Sequence, residues 1–315
     1  MKGSVKVGYA FAVLNAVISG IAIFVSSRGV GIFHNAVLFT SLKNGVVGII
    51  LIPLFLAVPG PRRGARHLSR SDWIWLLIVA IIGGSLPYAL FFTGLKMTTA
   101  VTGALGDHVQ FLLVAVLAVL VLKERLSPAM WAGILVLLVG VLLGANLGLV
   151  RWNLGTVLIG AATILFTVDF VIVKHLLGGR LHLLLVMTAK MTLGSAILFA
   201  FLGVTGGLAA IAHLSSAQWI YAVVTGLILL CFTASIFIAI RYAPVSSVMA
   251  IGAGAPLVTV ALELVAEHRV KLAGGGLLGL LLTFVAVVAI LVLGLHQEAR
   301  RKTRPERVTA TRSQP

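Results

Sequence analysis

The residues from Leu38 to Ile50 read LFTSLKNGVVGII, an apolar run with Lys43 and Asn44 near its middle. Placing a lysine deep in hydrocarbon costs roughly 2.5–3.5 kcal/mol on insertion scales, so such residues usually face the interior of a helix bundle or a cavity. We therefore expect this run to span a membrane as a helix whose polar side chains point away from lipid.

The second half of the chain contains the same pattern. Residues 35–43 read NAVLFTSLK and residues 182–190 read HLLLVMTAK, so that Lys190 aligns with Lys43. An intramembrane cation that recurs at the same place in both halves indicates that the fold is organised around these two lysines.

The composition is that of a membrane protein. Hydrophobic residues make up 60% of the 315 residues and charged residues 10%, with a mean hydropathy of +1.14, whereas soluble domains are roughly 45–50% apolar and about 25% charged. The net charge of +16 would suit nucleic-acid binding, but the basic residues follow membrane topology, so we expect no nucleic-acid partner. The single cysteine, Cys231, cannot form an intrachain disulfide.

Apolar runs of about 20 residues recur ten times, and each is long enough as a helix to cross a bilayer core of ~30 Å. Helices are expected because lipid offers no partner for free backbone groups. The predicted fold class is therefore an all-α membrane protein with ten transmembrane helices. The predicted spans are residues 8–25, 36–58, 73–95, 100–122, 129–149, 154–173, 182–204, 219–240, 246–266 and 274–295.

The 24 lysines and arginines are strongly biased toward one side when the N-terminus is placed inside. Lys43 and Lys190 lie within spans, and the outer segments hold only Arg28, Lys96, Arg151, Arg269 and Lys271. The positive-inside rule then places both termini in the cytoplasm. We expect a multi-pass protein of the cell (inner) membrane, in which residues 296–315 form a basic, disordered cytoplasmic tail.

The two halves also match elsewhere: the DWIW that begins at Asp72 corresponds to the QWIY that begins at Gln218. Each half, residues 1–149 and residues 150–295, contains five predicted spans. Because five is an odd number, the second half must enter the membrane from the opposite side. Inverted repeats of this kind are typical of secondary transporters, whose substrate site lies near the midplane between the halves.

Two sets of short motifs occupy equivalent places in the two halves. The first set is TTAVTGAL (98–105), LKERLSP (122–128), Gly133 and Gly140, and the weaker second set is YAPVSSV (242–248), Pro256, Glu267 and Gly276. Together, over residues 8–295, they resemble the EamA domain of the drug/metabolite transporter superfamily. That family commonly has a basic residue in the second helix of each half, where Lys43 and Lys190 lie.

The resemblance implies a secondary active transporter that moves a small organic metabolite, such as an amino acid, across the cytoplasmic membrane by alternating access, with export as the favoured direction. The sequence contains no Walker A loop, no His-Glu-x-x-His motif and no Gly-x-Ser-x-Gly motif. We therefore expect no enzymatic activity, and we expect no cofactor.

The residues expected to bind substrate begin with the two lysines. Each lies about 8 residues into its span, so the symmetry places both near mid-membrane, where they can line the pathway and attract a carboxylate or phosphate. A structural ion pair or snorkelling to the interface is the alternative. We add Asn44, and also Tyr88 as an aromatic wall, because the stretch from Gly83 to Tyr88 interrupts the third span.

The fourth span contributes Asp107, His108 and Gln110 to the predicted site. Asp107 is expected level with Lys43, and Gln110 lies on the same helical face as Asp107. A pair of Lys43 and Asp107 would offer one donor and one acceptor, suited to a zwitterion, whereas the alternative is a satisfied hydrogen-bond cluster between helices. Because His108 can titrate near neutral pH, a proton is a conceivable coupling ion.

Other polar or irregular positions are predicted to have structural roles. Asp169, four residues from the inner end of the sixth span, is expected to pair at the interface near Lys174. By the resemblance, Glu124 anchors a loop. The stretch 251–256, IGAGAP, is predicted to interrupt the ninth span. We predict no catalytic residue and no metal ligand.

Three alternatives remain open at the level of sequence. A membrane enzyme acting on lipid would need clustered carboxylates or histidines, but the acids here are scattered in depth. A receptor with a chromophore on Lys190 is disfavoured by ten spans in two repeats. The third alternative is a lipid-linked sugar translocator of the same superfamily, which a laterally open, lipid-facing cavity would favour. In every case, the expected partners are a small-molecule substrate and the lipid bilayer.

Overall fold

A computed structural model of the chain describes residues 4–29, 32–33, 35–98, 100–144, 153–179, 181–267 and 275–303. All regular secondary structure in these ranges is helical, which confirms the all-α prediction. The helices are α1 (Ser4–Gly29), α2 (Ala36–Ala57), α3 (Pro59–Ala65), α4 (Arg70–Gly84), α5 (Leu86–Met97), α6 (Ala100–Val121), α7 (Pro128–Gly144), α8 (Leu154–Gly178), α9 (Leu183–Val204), α10 (Ser216–Tyr242), α11 (Val245–Gly252), α12 (Ala255–Glu267) and α13 (Gly276–Thr303), with a 3-10 helix at Gly207–His213 before α10.

Eight helical stretches in the described ranges are long and apolar enough to cross a membrane. They lie in α1, α2, α4 with α5, α8, α9, α10, α11 with α12, and α13, and they coincide with eight of the predicted spans. The apolar stretches that correspond to the other two are shorter, Val109–Val121 in α6 and Pro128–Gly144 in α7. The chain is therefore a multi-pass membrane protein.

Both predicted interruptions are confirmed. The first lies at Ser85, whose backbone (φ −135°, ψ −70°) separates α4 from α5, and whose Oγ donates a hydrogen bond to the carbonyl of Ile81 at 3.2 Å. Pro87 follows in the first turn of α5, where its missing N–H costs nothing. The second lies at Ala253 and Gly254, between α11 and α12.

The helices pack in a reciprocal pattern. At the centre, α2 lies along α9. On either side of this pair, α4 packs on α9 while α10 packs on α2. Further out, α5 packs on α8 while α1 packs on α10, and α7 and α13 form a pair of their own. The central pair carries the two lysines of the sequence repeat.

The same hydrogen-bonded motif begins α4 and α10. Ser69 Oγ accepts from the backbone N–H of Asp72 at 3.2 Å, and the Asp72 carboxylate accepts from the Ser69 N–H at 2.8 Å. Ser215 and Gln218 repeat both bonds at 3.3 and 2.8 Å. These capping boxes satisfy free N–H groups of the first helical turn, and they explain why Asp72 and Gln218 occupy matching positions at the start of the DWIW and QWIY motifs.

Two helices extend further than the sequence predicts. Helix α8 ends at Gly178 rather than at residue 173, because the basic residues near its end lie on the helix and do not terminate it. Helix α13 continues to Thr303, so the expectation of a disordered tail is wrong for residues 296–303. Those residues are mostly good helix formers that continue an existing helix at little cost. Residues 304–315 lie outside the described ranges.

Candidate substrate-binding site

Lys43 lies on α2 with only 8% of its surface exposed. Its Nζ is 5.3 Å from the ring centroid of Phe39, one turn earlier on α2, and 5.7 Å from that of Phe92 on α5. Among the described residues, no carboxylate or other acceptor forms a hydrogen bond or ion pair with this ammonium. Within the described ranges, the attractive contacts of the Lys43 ammonium are therefore those with the rings of Phe39 and Phe92.

Lys190 occupies the corresponding place on α9 and is equally buried, at 6% exposed. Its Nζ lies 5.6 Å from the ring centroid of Phe237 on α10 and 5.8 Å from that of Phe170 on α8. In contrast to Lys43, it forms an ion pair with the carboxylate of Asp169, which is fully buried. The two lysines thus share aromatic surroundings but differ in charge compensation.

The partner predicted for Asp169 is wrong. Because α8 runs to Gly178, Asp169 lies nine residues from the helix end, about as deep as Lys190 on the antiparallel neighbour α9. Lys174 instead donates hydrogen bonds to two carbonyls at the end of α10, those of Ile240 at 2.5 Å and Ala243 at 2.7 Å. Its cation therefore caps a helix C-terminus.

Asn44 connects α2 to α4 through a hydrogen bond. Its side chain is fully buried, and its Nδ2 donates a hydrogen bond to the Gly84 carbonyl at 3.0 Å. This carbonyl is one of the C-terminal groups of α4 that lack a helical partner next to the break at Ser85. The Asn44 Oδ1 has no hydrogen-bond partner among the described residues.

Two glycines at the end of α4 bring the polar groups together. A Cβ on Gly83 would overlap the Asp169 carboxylate, and a Cβ on Gly84 would lie 2.5 Å from the carbonyl oxygen of Lys190. Facing Gly84 on α9 is Gly194, where a Cβ would lie 2.6 Å from the Gly84 carbonyl. Only glycine permits α4 to approach α8 and α9 this closely. The end of α4 therefore contacts both the Asn44 amide and the Asp169–Lys190 pair.

The remaining predicted site residues are distributed over α5 and α6. Tyr88 is half-buried, and its ring meets that of Phe166 on α8 edge to face with centroids 5.0 Å apart, as an aromatic wall would. Gln110 is buried, and its Nε2 has no partner among the described residues. Asp107 and His108 lie on α6, but their side chains are outside the described part of the structure, and so is the predicted contact of Asp107 with Lys43.

Glu124 joins the two halves at the side predicted to be cytoplasmic. Its carboxylate accepts hydrogen bonds from the Val245 N–H at 2.8 Å, the Ser246 N–H at 3.3 Å and the Ser246 Oγ at 2.6 Å. It therefore caps the N-terminus of α11, in agreement with the anchoring role that the resemblance implied. A cavity of about 450 Å³ lies beside this contact, lined in part by Lys174 and Gln297.

Sequence reasoning missed the immediate surroundings of the lysines. The phenylalanines carry no signal of their own in an apolar chain, although Phe92 and Phe237 fall at matching places, each four residues before a basic residue that closes a span. Within the described ranges, no group of three or more His, Cys, Asp or Glu side chains is arranged to hold a metal ion.

Comparison with known proteins supports the family resemblance. Residues 6–145 match the EamA-like transporter family. An uncharacterized transporter of Bacillus subtilis, YyaM, is 30% identical over 125 residues, which cover 40% of each chain. An uncharacterized transporter of Methanothermobacter thermautotrophicus is 27% identical over 146 residues, which cover 44% of this chain and 42% of that protein. The matches thus span less than half of these relatives.

A solved crystal structure shares the fold at greater length. It superposes with a TM-score of 0.68 and 20% sequence identity, covering 93% of this chain and 98% of the other. At this identity the similarity concerns the fold alone. The likeness to the EamA-like transporter family therefore applies to residues 6–145, the part of the chain that the family matches.

Proposed function

We propose that the protein is a secondary active transporter that moves a small organic metabolite, such as an amino acid, across the cell membrane. The observation that carries this proposal is the pair of buried lysines, Lys43 and Lys190, on the two helices at the centre of the bundle. A buried charge is costly in a membrane protein and usually marks a substrate or ion pathway.

The proposed mechanism is alternating access between two inverted halves of five spans each. The reciprocal packing of α4 on α9 and α10 on α2 supports it, and so do the matching capping boxes that begin α4 and α10. In such transporters the halves rock about a site at the midplane. We propose ten spans with both termini in the cytoplasm, and export as the direction.

The proposed site comprises the central polar residues and their neighbours on α5 and α6. Lys43 and Lys190 provide the cations, and Tyr88 provides an aromatic wall. Asn44 and Gln110 provide side-chain amides, each with one polar atom that has no hydrogen-bond partner among the described residues. We add Asp107 and His108 from the sequence, the latter as a group that can carry a coupling proton.

A thermal-shift screen of the detergent-purified protein tests this function. The panel contains amino acids, organic acids, sugars, nucleosides, polyamines and lipid-linked sugars. A ligand that binds the folded state stabilises it by RT ln(1 + [L]/Kd), about 2.7 kcal/mol when present at 100 times its Kd. We expect at least one small polar solute to raise Tm in the wild type and less so in Lys43→Ala. A response to lipid-linked sugars alone would favour translocation of those lipids instead.

A further inference from the structure

Resting on the proposed function, we infer that Lys43 binds a negatively charged group of the substrate, a carboxylate or a phosphate, and that the substrate carries net negative charge. The inference comes from an asymmetry between two otherwise equivalent sites. It goes beyond the transport of a small metabolite by naming the charge class of that metabolite and the residue that recognises it.

The two lysine sites are equivalent in position and in aromatic surroundings. Lys43 and Lys190 align in the repeat, lie on the paired helices α2 and α9, and are both more than nine-tenths buried. Each ammonium also lies within 6 Å of a phenylalanine ring from the matching place in its half, Phe92 or Phe237. Any difference between them therefore reflects the charges nearby.

Only the second site has its own anion among the described residues. Asp169 of α8 neutralises Lys190, and the alignment that pairs the two lysines places Ala22 of α1 at the position equivalent to Asp169. No described carboxylate takes over that role for Lys43. The neighbouring Asn44 amide is engaged with the Gly84 carbonyl and carries no charge.

A buried, uncompensated ammonium is expensive. Burying an ion in a protein carries a large desolvation penalty, and a cation over the face of an aromatic ring regains part of it. The rings around Lys43 therefore reduce the cost of burial without neutralising the charge. A substrate anion at Lys43 removes the remainder, and its attraction is strengthened because little water screens the site.

Because only Lys190 has a carboxylate partner among the described residues, the two lysines have different roles. The positive charge of Lys190 is used within the protein, where it holds α8 against α9 through Asp169. The positive charge of Lys43 is available to a ligand. Among the described residues, a substrate with one more negative than positive charge would bring the summed charge of Lys43, Lys190, Asp169 and the substrate to zero, which lowers the cost of moving the substrate through a low-dielectric region.

The first arm of the test needs no ligand. Lys43→Met and Lys190→Met are compared by Tm in detergent. We expect Lys43→Met to raise Tm or leave it unchanged, because the substitution removes an unpaired buried charge. We expect Lys190→Met to lower Tm, because it leaves the buried Asp169 carboxylate without its ion-pair partner. A fall in Tm for Lys43→Met as large as that for Lys190→Met would show that Lys43 has an internal anion, such as Asp107, and would overturn the inference.

The second arm uses named probes at equal ionic strength against a sodium chloride baseline. The sodium salts of pyruvate, succinate and phosphate are compared with alanine, glucose and putrescine. We expect at least one anion to raise Tm in the wild type and in Lys6→Gln, an exposed-lysine control, and the shift to disappear in Lys43→Met. An anion response that persists in Lys43→Met, or no response to any anion, would overturn the inference. A response to alanine, glucose or putrescine alone would overturn it too, yet would leave the transporter proposal standing.

Discussion

Asp169 and Lys190 form a buried ion pair between α8 and α9, and the carboxylate of that pair also packs against Gly83 at the end of α4. Three helices therefore meet at one charge pair. Lys43, like Lys190 the eighth residue of its helix, has no carboxylate partner among the described residues. The reciprocal packing of the central helices is thus accompanied by an asymmetry in charge.

The ion pair predicts non-additive stability effects. Lys190→Met leaves the Asp169 carboxylate buried and unpaired, which typically destabilises a protein by about 3–5 kcal/mol. Adding Asp169→Asn to this variant removes the stranded charge, so we expect the double variant to regain much of the loss. Chemical unfolding in detergent micelles measures the cycle. The Asp169→Asn single variant completes the cycle, and a loss in the double variant equal to the sum of the two single losses would show that the two side chains do not interact.

The close approach of α4 to α9 predicts a difference between two glycines. Gly194→Ala places a methyl group 2.6 Å from the Gly84 carbonyl, so the helices must separate, at a cost of about 1–3 kcal/mol. Gly160→Ala is the matched control because a Cβ at this exposed position of α8 meets nothing within 4 Å. We expect the control to gain up to about 1 kcal/mol from helix propensity. Similar Tm values for the two variants would argue against the close packing of α4 on α9.

The contact of Glu124 with α11 predicts a capping effect. Glu124→Ala removes the acceptor for the Val245 and Ser246 N–H groups, and the loss of a helix cap costs about 0.5–2 kcal/mol. The exposed neighbour Arg125 provides the control variant, Arg125→Ala, which we expect to change stability by less than about 0.5 kcal/mol. Thermal unfolding of both purified variants measures the difference. A Glu124→Ala protein as stable as the control would remove this contact from the account.

The proposed topology predicts which loops face the cytoplasm. Replacing Cys231 with serine gives a background without cysteine, into which Arg125→Cys or Ala210→Cys is introduced. With ten spans, residue 125 lies inside and residue 210 outside. We therefore expect a membrane-impermeant maleimide to label Ala210→Cys in intact cells, and to label Arg125→Cys only after the cells are opened. Labelling of Arg125→Cys in intact cells would exclude crossings by both α6 and α7.

The helices and the central lysines were predictable because each follows from a local rule. Hydrocarbon selects apolar helices of about 20 residues, and a lysine inside such a run must turn inward, as Lys43 and Lys190 do. The breaks at Ser85 and at Ala253 follow from neighbouring glycine and proline. Predicting these features does not require knowing which helices pack against each other.

The charge partners were not predictable in the same way. Placing the end of the sixth span at residue 173 put Asp169 too close to the membrane surface, although a hairpin of α8 and α9 brings it level with Lys190. An error of a few residues at a helix end moves a side chain by about 1.5 Å per residue in depth. Phe39 is a local neighbour of Lys43 on α2, but the contacts of Phe92, Phe170 and Phe237 depend on packing between different helices, which no local pattern specifies.

The central claim is that a solute crosses the membrane through a site at Lys43. Counterflow of a radiolabelled solute in proteoliposomes tests this most directly, using the compound that gives the largest Tm shift in the screen. We predict exchange by the wild type and by Lys6→Gln, and a loss of about tenfold or more in Lys43→Ala, since a hydrogen bond to a charged group is worth about 1.5–3 kcal/mol. Full counterflow by Lys43→Ala at equal reconstituted protein, or no counterflow by the wild type, would contradict the account.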